Sequence, residues 1–491
     1  MPLKSSNTPS HVSTPSEKSS ASLPWWRGMS RYHWFVLIVA ALGWLFDCLD
    51  QQLFIHARLP AMRALVPGED PVKWGGYATS IFLMGWATGG LIFGVIGDRF
   101  GRARTMIITI LLYSICTGLS ALSQSFWDFA FYRFLTGLGV GGEFAVGVAL
   151  VAEVVPDRCR AGALGLLQAL SAVGNIAAAF IGMGMARLEA DGVITTGTSW
   201  RWLFVIGTLP ALLALVIRWR LKEPERWLRL KESGEIKKYS AFTYRELFKS
   251  PRWRRHALLG MLLCCSGIIG MWGIVFFTPE LIGSVLSKTF LAQGLSPDET
   301  AAKVGSWRST GMLVLQVGAF LGMLTCSAIA ASIGRKKAFM LALIAAMLAT
   351  ASAFHFFGKP SEMGIKFLMG EWSWSSALPM IWGSQLWLIF LMGFCLFSIF
   401  AVYAIYLPEL FPTHLRSTGT SFCYNVGRFV AAIGPPMLGW LKSDVYHNFP
   451  EPMRPAAITM CAVFLLGLAV LPFLPETKGQ PLPEEERAAF H

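Results

Sequence analysis

Four ionisable side chains stand out in stretches too apolar to solvate them. Asp47 and Asp50 lie in the run 34–55, Arg133 in 128–151 and Arg428 in 417–441. A charge within a bilayer-spanning helix costs about 2.5–3.5 kcal/mol on insertion scales, so such residues face a cavity or a partner. Asp47 and Asp50 are three apart and share one helix face. Two carboxylates crowded into low dielectric resist being ionised together, which is a device for taking up a proton near neutral pH. Arginine keeps its charge and presents a planar fork of donors matched to a carboxylate. The chemistry these residues offer is proton binding, ion pairing and capture of an anion.

The elements that must hold them are membrane spans. A spanning helix needs ~20 apolar residues. Candidates are 34–55, 75–97, 105–122, 128–151, 163–186 and 202–217, then 257–281, 310–331, 338–355, 386–407, 417–441 and 456–474. The pattern is six segments, a polar break at 218–256, and six more. At ~1.5 Å per residue in a ~30 Å core, Asp47 lies ~10 Å below the outer edge and Arg133, entering from the other side, ~8 Å below it. The matching heights predict an Asp47–Arg133 pair that protonation of Asp47 loosens; a permanent ion pair is the competing reading. Asp50 lies nearer the outer surface, where an exposed helix end competes with a coupling role. Arg428 comes out ~16 Å into its segment, close to the midplane. Segment eleven holds no acid to neutralise it. It is expected to meet a substrate carboxylate; backbone carbonyls or an acid on another helix are the alternatives. Gln168, Asn175, Trp272, Gln316, Tyr403, Tyr424 and Asn425 stand at interior depths and complete the expected substrate site, although each type is also common in helix packing.

Composition agrees with this placement. Of 491 residues 54% are apolar and only 14% charged, with mean hydropathy +0.52; a soluble protein carries roughly 25% charge. The net charge of +13 does not mark a nucleic-acid surface, because the basic residues sit at the ends of apolar segments. With the N-terminus inside, the inner segments carry 28 Lys and Arg and the outer loops 11, with Arg308 at the mouth of segment eight counted in neither. That bias places both termini and the 218–256 linker in the cytoplasm. The linker is expected to lie along anionic headgroups as amphipathic helix. Residues 1–33 read as a disordered cytoplasmic tail, 34–217 and 257–474 as two six-helix bundles, and 475–491 as a second tail. The nine cysteines form no Cys-x-x-Cys and read as small core residues, so no metal and no cofactor is expected. No Ser/His pair or His-Glu-x-x-His motif appears, which argues against an enzyme.

Three pieces of the chain occur twice. GDRFGRAR at 97–104 has an echo in AASIGRKK at 330–337. Glu153-x-x-Pro156-x-x-x-Arg160 recurs as Glu409-x-x-Pro412-x-x-x-Arg416, and Pro224-Glu225 as Pro475-Glu476. Two homologous halves are how transporters build a central site between bundles that rock. Glycines at 85, 89, 90 and 94 and at 137, 139, 141, 142 and 147 predict close packing of segments two and four.

Gly94-x-x-Gly97-Asp98-Arg99-x-Gly101-Arg102-x-Arg104, the opening Arg133-x-x-x-Gly137-x-Gly139-x-Gly141-Gly142-Glu143, LKEPERWL after segment six and LPETKGQPL after segment twelve together resemble the major facilitator superfamily. The terminal Pro475-Glu476-Thr477-Lys478-Gly479 looks like sugar porters, but the paired glutamines those porters carry in segment seven are absent. Asp47-x-x-Asp50 looks like the Asp-Gly-x-Asp of aromatic-acid and sialic-acid proton symporters, with Cys48 in place of the usual glycine. Gly427-Arg428 followed by Gly434-Pro435 is similar to the same branch. The resemblance implies an all-α fold of twelve transmembrane helices in two pseudo-symmetric six-helix bundles. It also implies a cytoplasmic gate, for which the expected residues are Gly97, Asp98, Arg99, Gly101, Arg102, Glu153, Arg160, Arg335, Glu409 and Arg416. Ala331 replaces the aspartate in the second half, so the clamp should be lopsided. The expected function is proton-coupled symport of a small organic anion, an aromatic or sugar acid, by alternating access. The partners are that small molecule, the proton and the lipid bilayer, for a monomer in a bacterial inner membrane. A sugar–proton symporter is the alternative, and a non-transporting nutrient receptor a further one. Sodium in place of the proton, and export in place of import, stay open.

Overall fold

Long apolar runs with no water to bond their backbones must satisfy every amide internally, and helices do this. The computed structural model describes residues 24–69, 71–195, 197–212, 220–233, 243–359, 385–431 and 434–483. Ten helical stretches among them are long and apolar enough to cross a bilayer. The helices of the first half are α1 (Arg31–Leu65), α2 (Pro71–Phe100), α3 (Arg102–Ser120), α4 (Phe126–Val154), α5 (Asp157–Ala190) and α6 (Ser199–Ile206). Two short linker helices follow, α7 (Glu225–Glu232) and α8 (Thr243–Lys249). The second half contains α9 (Pro251–Gly273), α10 (Thr278–Ala292), α11 (Pro297–Ile333), α12 (Arg335–Phe356), α13 (Leu386–Glu409), α14 (Arg416–Ala431), α15 (Gly434–Trp440), α16 (Met453–Met460) and α17 (Val463–Val470). The expected disordered tail lies, for residues 1–23, outside the described residues, as does the 213–217 end of segment six. Helix α1 already begins at Arg31, capped by Ser30, and Trp25 packs where a Cβ on Gly162 of α5 would fall.

Segment seven departs from the single helix expected at 257–281. It breaks into α9, a 3-10 turn at Val275–Phe277, and α10. Pro279 has no N–H to donate back to Val275, so the α-helical ladder stops and restarts there.

The expected glycine seam is present and occurs in both halves. A Cβ on Gly85 or Gly89 of α2 would strike the carbonyls of Phe134 or Leu138 on α4, and one on Gly137 or Gly141 would strike those of Phe82 or Trp86. In the second half Gly318 and Gly322 of α11 meet the Phe390 and Phe394 carbonyls of α13, and Gly393 meets that of Leu315. The two pairs occupy equivalent places, and backbone lies on backbone in each. Across the halves α2 runs along α14 and α5 along α11. The described part of the linker is docked on the bundle. The Trp227 indole donates to the Asp98 carbonyl at 2.8 Å, and the Tyr244 hydroxyl to that of Leu91 at 2.8 Å. Two aromatic donors find backbone carbonyls of α2 that an amphipathic reading by charge alone overlooks.

Candidate functional site

A cavity lies where the two halves face each other. Arg428 projects into it from α14, held by Asn425, whose Oδ1 accepts from Nη1 at 2.5 Å. The guanidinium is clasped between two rings, 4.0 Å from the centroid of Trp86 and 4.3 Å from that of Tyr424. Among the described residues no carboxylate lies within ion-pair distance of it. Gln168, Asn175, Trp272, Gln316 and Tyr424 line the cavity. Tyr403 does not. It is fully buried, donates to the Leu263 carbonyl at 2.6 Å and accepts from the Gly267 amide at 3.2 Å, so it fastens α13 to α9. Asn425 also stands behind the lining, in the space left by Gly90, and acts by holding Arg428. Depth cannot tell which way a side chain turns around its helix. The lining also includes Trp44, Gln51, Gln52 and Trp86, which the sequence reading did not assign. The indole nitrogens of Trp44 and Trp86 and the amide oxygens of Gln168 and Gln316 have no hydrogen-bond partner among the described residues. They are donors and acceptors open to a ligand.

The acids sit behind this wall. Arg133 pairs with Asp50, at 3.7 Å, and not with Asp47. Asp47 and Asp50 lie one turn apart on α1, and the azimuth of Asp50 turns it toward α3 and α4, where the Thr117 hydroxyl of α3 donates to its other oxygen at 2.7 Å. Arg133 is otherwise held by Ser120 and Thr136 and lies 4.6 Å over the Phe204 ring. Asp47 is 1% exposed, and neither of its oxygens has a hydrogen-bond partner among the described residues. Its electrostatic neighbours are Glu143, Asp50 and Arg428. Glu143 was visible in the sequence as a charge fifteen residues into segment four, a signal as strong as that of Arg133.

One end of the bundle, which carries the 97–104 loop, is closed by a polar clamp. Asp98 of α2 accepts from the Ser417 amide at 3.0 Å and from the Thr418 amide and hydroxyl at 2.7 and 2.6 Å, all at the start of α14. An anion at a helix N-terminus meets free N–H groups and a favourable dipole. Arg102 bonds Asp98 and Glu153 and reaches across to the Thr413 carbonyl. Arg416 reaches the same Glu153 oxygen at 2.9 Å. In the second half Arg335 grips Glu409 through two bonds, of 2.8 and 3.1 Å. Arg160 binds the Ala152 carbonyl and Asp157 and has Glu409 as an electrostatic neighbour. Where Ala331 stands in place of the aspartate, a gap opens, lined by Arg160, Arg335 and Glu409. Arg99 turns outward over the Phe100 ring and takes no part. Gly97 lets Ser417 approach, and Gly101 starts α3 at φ 110°, the left-handed side that favours glycine. The repeat is corrected by one detail: the partner of Glu476 is Glu223, not Glu225. Glu223 accepts from the Ala103 and Arg104 amides, as Glu476 does from those of Arg335 and Lys336.

The comparisons agree with this geometry. The model for the Major Facilitator Superfamily matches residues 72–369, and that for "Sugar (and other) transporter" matches 356–489. The chain is 29% identical to the cis,cis-muconate transport protein of Acinetobacter baylyi, over 79% of this chain and 83% of the relative. It is 25% identical to the benzoate transport protein of the same organism, over 89% and 90%. Among solved structures, a proton:xylose symporter superposes with a TM-score of 0.70 at 18% identity, covering 94% of this chain and 99% of that one, a likeness of fold. With its all-α spans, repeated halves and matching family model, the chain belongs to the major facilitator superfamily of transporters.

Proposed function

We propose that the protein is a proton-coupled symporter of a small organic anion, an aromatic or sugar acid, working by alternating access between bundles 34–217 and 257–474. The observation that carries the reading is Arg428, a guanidinium in the central cavity held against two aromatic rings, with no carboxylate among the described residues bonded to it. A planar conjugated carboxylate fits that clasp: its oxygens take the fork and its π system takes the indoles. Asp47, Asp50 and Arg133 form the coupling region, with Asp50–Arg133 as its fixed ion pair. The 97–104 end is the cytoplasmic gate, in agreement with the Lys and Arg bias. Both termini then lie in the cytoplasm of a cell whose inner membrane holds the monomer. A sugar–proton symporter is the second reading, favoured by the family match at 356–489 and by Gln51, Gln52, Gln168 and Gln316 in the lining. Uptake by proteoliposomes under an imposed pH gradient separates the two. Benzoate and cis,cis-muconate should accumulate and xylose should not; the reverse pattern installs the sugar reading.

A further inference from the structure

Glu143 is a buried acid that the scheme above leaves idle. It is 1% exposed on α4. One oxygen accepts from the Thr109 hydroxyl at 2.7 Å. The other has no hydrogen-bond partner among the described residues. A Cβ on Gly43 would overlap that oxygen and stand 3.3 Å from the carboxyl carbon. Gly43 lies one turn before Asp47 on α1, so the missing side chain at 43 lets the glutamate reach the helix that carries Asp47. The charged and titratable groups facing this pair are Asp50 and Cys48 on α1, Tyr113 on α3, and Arg428 with Tyr424 on α14; Arg133 of α4 stands behind them, paired with Asp50.

We infer that Asp47 and Glu143 form one proton-binding pair and that Arg428 ties its occupancy to the substrate carboxylate. The inference rests on the proton-coupled reading above. Asp47, Asp50 and Glu143 set three negative charges against the two positive charges of Arg133 and Arg428. A water-poor site does not hold such an excess. One proton shared by Asp47 and Glu143 balances it in the empty carrier. A bound carboxylate occupies Arg428 and adds a negative charge, and a second proton then enters, so that each member of the pair carries one. On release the carboxylate leaves with that proton. One proton travels with one monoanion, and transport of a monocarboxylate is electroneutral.

Two measurements on the reconstituted full chain test this. Infrared difference spectra of the protein without substrate should show a protonated-carboxyl band near neutral pH that is lost in both Glu143→Gln and Asp47→Asn. Gly43→Ala, which removes no titratable group, should shift the band by displacing Glu143. A band unchanged in Glu143→Gln and in Gly43→Ala overturns the inference whether or not any substrate is known. In transport, benzoate accumulation under a pH gradient should fall at least tenfold in Glu143→Gln and recover in part in Glu143→Asp. A potassium diffusion potential should change the wild-type rate less than twofold. Accumulation by Glu143→Gln equal to wild type, or a rate that follows the potential, contradicts the pair. A wild type indifferent to the pH gradient but with the band intact refutes the proton-coupled reading instead.

Discussion

Replacing Asp98 with asparagine should unlock the clamp at the 97–104 end without touching the central cavity. Both Asp98 oxygens serve donors from the opposite half, namely two backbone amides and one hydroxyl of α14, at 2.6 to 3.0 Å. Asparagine offers one oxygen and turns an N–H2 group toward the remaining donor. Hydrogen bonds to charged groups contribute about 1.5–3 kcal/mol each, against about 0.5–1.5 for neutral ones. One bond lost outright and two weakened come to about 3 kcal/mol. Only the closed clamp makes these bonds, so the whole difference falls on one side of the conformational equilibrium. At about 1.4 kcal/mol per tenfold, the population should move roughly 100-fold toward the state open at this end. Spin labels at Arg99 and Lys337, exposed on opposite halves at that end, report the change by pulsed electron resonance. A longer-distance population should dominate in Asp98→Asn. A distance distribution identical to wild type would refute the argument that these bonds decide the state.

Arg428→Lys keeps the charge but loses the planar stack on Trp86 and Tyr424; at about 1 kcal/mol per cation–π contact, the benzoate KM should rise roughly 30-fold. Asp50→Asn leaves Arg133 buried without its carboxylate, a change that costs about 3–5 kcal/mol, so its thermal melting in detergent should fall clearly below that of Asp47→Asn. At Glu476 burial pushes the carboxyl up, but amide bonds from Lys478, Arg335, Lys336 and Thr477 outweigh it and hold the group below its ordinary value. A depressed carboxylate contributes stability above its unfolded value of 4.5, lost as pH falls through the folded value. Glu476→Gln should therefore melt lower than wild type at pH 7, with the gap closing in melts taken below about pH 4.5.

Much of this was legible before any coordinates, because membrane spans are written in long apolar runs and repeats in exact spacings. The charges in those runs marked Asp47, Asp50, Arg133 and Arg428 as interior. Height along a helix follows from counting; direction around it does not. Asp47 and Asp50 differ by about 60° in azimuth, and that rotation gave Asp50 the arginine and left Asp47 to Glu143. The same missing angle put Tyr403 in the cavity on paper and against α9 in the fold. Glu143 was overlooked because it closed a glycine-rich motif and was read as part of the motif, although its depth was as countable as that of Arg133. The docking of the linker was hidden for another reason. Trp227 and Tyr244 bond backbone carbonyls, and no residue pattern advertises a carbonyl.

The central claim is that an inward proton gradient drives a carboxylate through the cavity that Arg428 guards. The most direct measurement is the steady-state benzoate ratio across proteoliposome membranes, with and without an imposed pH gradient, in wild type and Asp47→Asn. The account predicts uphill accumulation in wild type that collapses in Asp47→Asn while benzoate exchange continues. Accumulation that ignores the gradient, or survives intact in Asp47→Asn, would contradict it.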